Sequence, residues 1–150
     1  MRIRPCAPDD VDEWADMRVA LWPDEHESTL RAEAVRMAAE PDPDLLNLVA
    51  VSESGEAVGF AEASIRRDYV NGCETTPVAF LEALYVAPCH RLKGVARGLI
   101  EAVEAWGRGK GCSELGSDAL LDNLASHRMH AAVGFQETER VVYFRRNIRA

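Results

Sequence analysis

No stretch of this chain is apolar for long enough to span a membrane. Its opening, Met1-Arg2-Ile3-Arg4-Pro5, has no apolar run behind the basic residues. Neither a membrane anchor nor a signal peptide is expected, and a cytoplasmic location is. The four cysteines, Cys6, Cys73, Cys89 and Cys112, are scattered and include no Cys-x-x-Cys pair. Without such a short spacing no metal site is expected, and the four read as reduced thiols. Positive charge is scarce too: 17 basic against 25 acidic residues give −8. Such a surface repels nucleic acid and anionic membranes and attracts cationic small molecules. Linkers, repeats and low-complexity tracts are missing, so residues 1–150 read as one domain. At 47% hydrophobic and 28% charged, it has room for a core.

Periodicity then supplies the elements. A short strand at Ile3 is followed by Asp9 and Asp10 in N-cap position, ahead of Val11, Trp14, Met17 and Leu21 at helical spacing. Pro23 ends that helix after Trp22, and a second helix fits Glu27 to Ala39. Leu46 to Ser52 and Ala57 to Ile65 form a hairpin around Ser54-Gly55, and Val78 to Val86 is the next strand. A helix over Gly94 to Lys110 presents Val95, Leu99, Ile100, Val103 and Trp106 on one side, with Gly111 as its C-cap. A short strand at Glu114 to Ser117, a helix from Asn123 to Val133 and a last strand at Val141 to Phe144 complete the chain. The order β-α-α-β-β-β-α-β-α-β predicts an α/β (α+β) fold. Its mixed central sheet has an antiparallel N-terminal meander, with helices on both faces.

Arg91-Leu-Lys-Gly-Val-Ala96 lies between a strand and a helix. Unpaired N–H groups and the positive end of the helix dipole converge there. Gly94 admits a ligand close to the backbone, and Arg91 and Lys93 add charge. The segment reads either as a phosphate cradle or as an ordinary loop with solvated basic residues. It lacks the lysine-serine/threonine ending of a nucleotide P-loop and the three glycines of a dinucleotide fingerprint.

In this context the chain resembles the GCN5-related N-acetyltransferase (GNAT) superfamily, whose Arg/Gln-x-x-Gly-x-Gly/Ala loop Arg91 to Ala96 matches. Asn123, His130 and Gly134-Phe135 follow at the spacing of a second family motif. The resemblance implies that acetyl coenzyme A is the co-substrate, with no metal. Its pyrophosphate would lie on Arg91, Lys93, Gly94, Val95, Ala96 and Arg97, and its pantetheine arm along the main chain of Leu84, Tyr85 and Val86. Asn123 would lie beside the cofactor, while also reading as a plain helix N-cap. A finer resemblance is to the short aminoglycoside 6′-N-acetyltransferases. It is carried by Leu21-Trp22-Pro23, by the run from Ala63 through Asn71-Gly72-Cys73, by Phe80-Leu81-Glu82, by Ser117-Asp118 and by Glu137 to Val141. It implies direct attack of a 6′-amine on the thioester in a ternary complex, and a homodimer, in some relatives with exchanged C-terminal strands.

Glu82 interrupts an apolar strand. It reads either as an outward-facing residue or as a cleft carboxylate that holds a substrate ammonium and accepts its proton. Asp118 follows a strand end, where α/β ligand sites collect; it is either a turn residue or, by the resemblance, a second substrate carboxylate. Glu139, Trp22 and Tyr69 are further substrate candidates, with a solvated glutamate and a core tryptophan as the plain alternatives. His130 stands where the superfamily has a tyrosine proton donor: a neutral histidine would supply the proton, or the thiolate would leave unaided. His127 and His130 lack a third metal ligand, and no cysteine has the His/Asp partner of a nucleophile. Two other functions fit the same residues: acetylation of a polyamine or protein amine, and a non-catalytic acetyl-CoA sensor.

Overall fold

The structure, a computed structural model, describes residues 1–149. Strands β1 (Arg2–Pro5), β2 (Leu45–Val51), β3 (Ala57–Arg66), β4 (Val78–Val86) and β5 (Leu115–Ser117) form one sheet in the order of the chain. The first three junctions are antiparallel and the β4–β5 junction is parallel. Helices α1 (Val11–Leu21) and α2 (Glu27–Ala39) precede β2. Helix α3 (Val95–Gly109) makes the crossover to β5, and α4 (Leu124–Ala132) follows it. The expected mixed sheet with a leading meander is what the chain forms.

Alternation along β2 explains why helices cover both faces. Leu48 and Ala50 point to α3, packing with Leu99, Ile100 and Val103, while Val49 and Val51 point to Trp14 and Met17 of α1. Burial at about 1.5–3 kcal/mol for each large side chain holds the two layers on the sheet. Gly107 lets α3 come close to β4: a Cβ there would lie 2.8 Å from the Cβ of Ala79.

Two expectations are corrected. Asp10 does not cap α1 with its side chain, because a 3-10 turn (Pro8–Asp10) comes first. Its carboxylate turns back to Arg4, at 2.6 and 2.8 Å, and to the Ala7 N–H at 2.6 Å. The last strand, Val141 to Phe144, is not formed. A strand needs a ladder partner, and residues 136–149 are exposed and pair with no strand of the described chain.

Candidate active site

The site begins with a fault in β4. Glu62 pairs with Ala83 and Ala63 with Leu81, so Glu82 is the extra residue of a β-bulge. A bulge breaks alternation and re-aims a side chain. Glu82 is accordingly exposed between buried Leu81 and Ala83. On the other edge of β4, pairing with β5 covers only Ala79 to Leu81 and stops at Leu81–Ser117. Beyond that point the β4 edge from Glu82 to Val86 is left without a strand neighbour among the described residues.

Where β4 and β5 part, a cavity of about 200 Å³ opens. Trp22, Glu82, Leu84, Ser117, Asp118, Asn123 and His130 all line it. Six sequence-predicted site residues are thus brought together, all of these but Ser117. Tyr69 and Glu139 are not among the lining residues: Tyr69 is 74% exposed, and Glu139 lies on the exposed segment that passes Gly72. Tyr85 turns its ring to the opposite face, against Phe60. A second hollow, between α1, α2 and β2, contains Cys6, whose thiol burial and the nearby Asp10 push up to about 12. That thiol is inert, and burial also raises Cys73 and Cys112.

Glu82 is held tightly. Its Oε1 accepts from Ser64 Oγ at 2.6 Å and from Arg66 Nε at 3.2 Å, and Arg66 Nη2 reaches both oxygens at 2.9 Å. Arg66 is itself seated on the Phe80 ring, 3.4 Å from its centroid. Oε1 is filled by three donors, while Oε2 receives one. Asp118, exposed at the end of β5, makes no ion pair among the described residues. Ser64 and Arg66 were invisible as site residues in the sequence. Their one signal is the i, i+2 spacing that puts both on one face of β3.

His130 is fixed by partners on both nitrogens. Nδ1 lies 2.7 Å from the Ser126 carbonyl, which only accepts, so Nδ1 carries a proton. Nε2 lies 2.8 Å from Ser117 Oγ, and Phe135 packs edge-on at 5.1 Å. A neutral His130 therefore accepts from Ser117 and has no proton to give on the cleft side. Of the two expectations for His130, this geometry favours a thiolate that leaves unaided over a neutral histidine donor.

The loop after β4 has the features of an anion cradle. Gly94 adopts φ +83°, with nothing within 4 Å of where a Cβ would be. The first helical bond of α3 runs from Gly98 to the Gly94 carbonyl, leaving the N–H groups of Val95, Ala96 and Arg97 without a backbone partner among the described residues. Arg91 closes the end of β4 by donating to the Val86 carbonyl at 2.9 Å, and Lys93 donates to the Cys89 carbonyl at 2.9 Å. Asn123 caps α4 by accepting from Ser126 N–H at 3.2 Å, so the capping role is real. An open strand edge leading to a dipole-lined, glycine-floored loop fits an extended thioester arm ending in a pyrophosphate.

Residues 11–135 match the model of the acetyltransferase (GNAT) family. The chain belongs to the GNAT acetyltransferases. An aminoglycoside N(6′)-acetyltransferase type 1 from Acinetobacter genomosp. 13 is 47% identical over 99% of both chains. That from Salmonella typhimurium is 42% identical over 97% of this chain and 99% of its own. Among solved structures, the aminoglycoside 6′-N-acetyltransferase AAC(6′)-IG from Acinetobacter haemolyticus superposes with a TM-score of 0.91, at 45% identity and 99% coverage of both chains. AAC(6′)-Iy in complex with the bisubstrate analogue CoA-S-monomethyl-acetylneamine gives 0.88, at 41% identity and 98% coverage of both. This GNAT member therefore uses acetyl-CoA as its acetyl donor, and the described residues contain no metal-binding cluster. Among the described residues no helix is long and apolar enough to cross a membrane.

Proposed function

We propose that this enzyme transfers the acetyl group of acetyl-CoA to the 6′-amine of aminoglycoside antibiotics, conferring resistance. The observation that carries this reading is the cavity at the β4–β5 divergence. Two carboxylates, Glu82 and Asp118, line it in a chain of net charge −8. A polycationic amine is the substrate that such a cleft attracts. The relatives named above, one of them solved with a joined CoA–neamine analogue, support the same substrate.

In this reading the thioester arm pairs with the open edge at Leu84 to Val86, whose N–H groups supply the oxyanion donor. Glu82, clamped by Ser64 and Arg66, anchors a substrate ammonium through Oε2. Asp118, free of such partners, takes up the proton of the attacking amine directly or through water. The amine attacks the thioester carbon, the C–S bond breaks, and the thiolate leaves without a proton from His130. Trp22 walls the sugar site, with Tyr69 and Glu139 at its rim. Work takes place in the cytoplasm, where acetyl-CoA is available.

The protein acts as a homodimer. Tyr143, Phe144 and Ile148 expose 81%, 93% and 98% of their surface, and the last strand of the sheet, β5, has three residues and one edge open among the described residues. A second copy is the partner for which an unpaired apolar strand-like run is suited. Sedimentation at micromolar concentration is expected to give a dimer; a monomer would remove this assignment.

The test of function is CoA release with two aminoglycosides that differ only in bearing an amine or a hydroxyl at 6′. Only the amine is expected to turn over, with kcat/KM well above that of a polyamine or peptide amine. Equal or better turnover of the polyamine would favour the alternative substrate class. CoA release with no amine accepted would favour a sensor.

A further inference from the structure

Two charged residues lie in the core of this protein, and the reaction uses neither directly. Arg18 is 3% exposed and Glu62 8%. Glu62 Oε1 accepts from Trp14 Nε1 at 3.0 Å and from Arg18 Nη1, while Arg18 Nη2 reaches Glu33 on α2. Among the described residues the Arg18 Nε finds no partner.

Stability does not account for this pair. Two charges removed from water lose their hydration, and an apolar pair of similar size commonly serves a core as well or better. Burial pushes the Glu62 carboxyl above the usual carboxylate range, with Arg18 pulling the other way, so the fold carries the penalty rather than escaping it. An unpartnered buried N–H adds to that cost.

What the pair supplies is a fixed plane. Glu62 and Glu33 hold the guanidinium from two sides, and its carbon lies 5.0 Å from the centre of the Trp22 ring and 5.9 Å from that of Trp14. Trp22 needs such a hold. It is the C-cap of α1, at φ −121° and ψ 68°, where helical geometry has ended and Pro23 follows. Its indole is half-buried and forms a wall of the cavity that contains Glu82 and Asp118. Lysine would offer charge without a face; arginine offers both.

We infer that Arg18, locked by Glu62, is a positioning residue that holds the Trp22 indole as a wall of the substrate cleft and so sets affinity for the aminoglycoside ring. This rests on the proposal that the cavity receives that substrate.

The experiment compares Arg18→Lys, the double variant Arg18→Met/Glu62→Gln, and Trp22→Ala. In the double variant the introduced glutamine would still accept from Trp14, and the introduced methionine would fill the space without charge. Both Arg18 variants are expected to raise the aminoglycoside KM about tenfold. The KM for acetyl-CoA should stay within about twofold, as should kcat, and the double variant should melt at or above the wild-type temperature. Adding Arg18→Lys to Trp22→Ala should give no further rise, because the group it holds is gone.

Unchanged aminoglycoside KM in Arg18→Lys, with Trp22→Ala raising it, would overturn the positioning role and leave the site intact. If Trp22→Ala also changes nothing, the cleft assignment itself fails. Should the double variant not fold, Arg18→Lys decides by the same measurement.

Discussion

Glu82 owes its place to one extra residue in β4 and its hold to two residues of β3. A regular strand would have turned this carboxylate with its neighbours; the bulge sets it apart from Leu81 and Ala83. Glu82→Gln keeps a group for Ser64 to bond but removes the charge proposed to hold a substrate ammonium. It is expected to lower kcat/KM about 100-fold for a 6′-amino aminoglycoside, measured by CoA release. A second carboxylate tests the fold instead. Arg4 and the Ala7 N–H hold Asp10 below the usual carboxylate range, with the Arg4 hydrogen bonds as the largest cause. A depressed folded value means stability that is full above the unfolded value and is lost as pH falls through the folded one. Asp10→Asn should thus cost about 1–2 kcal/mol near neutral pH. In urea titrations that gap should close as pH drops below the ordinary carboxylate range.

At the scale of elements, α3 and the strands were legible because their apolar spacing is regular. Val95, Leu99, Ile100 and Val103 form the stripe that the core receives. The bulge was not legible, since one glutamate in an apolar strand looks the same in register or out of it. Nor was the fate of Arg18: it continues the Trp14–Met17 stripe of α1, but a charge there reads as surface until Glu62 is seen beneath it. The C-terminal strand failed for a different reason. Val141 to Phe144 has strand-like residues, yet strand formation depends on a partner that local sequence does not specify. Close approach of α3 to β4 yields a further prediction. Gly107→Ala gains about 1 kcal/mol of helix propensity. It also brings a methyl group 2.8 Å from the Cβ of Ala79, an overpacking worth about 1–3 kcal/mol. Net destabilisation is expected, read as a lower melting temperature.

Over the whole molecule, charge and topology act together. The parting of β4 from β5 makes both the open strand edge and the cleft, so in the proposed reading the acetyl donor and the amine meet at one place in the sheet. Family membership was readable from Arg91 to Ala96 and Asn123 to Phe135, which lie on the elements the pattern requires. The side-chain arrangement within the cleft was not, because Ser64, Arg66, Ser117 and His130 meet only through the tertiary fold. A net charge of −8 should steer polycations. Raising salt from about 0.05 to about 0.2 M should lower kcat/KM for the aminoglycoside about threefold or more. The anionic acetyl-CoA should show no parallel loss. Where the acetyl group ends up tests the central claim most directly. With saturating acetyl-CoA and an aminoglycoside bearing several amines, NMR of the product should show one acetyl group, on the 6′ nitrogen. Acetylation at another amine, or on a hydroxyl, would contradict the account.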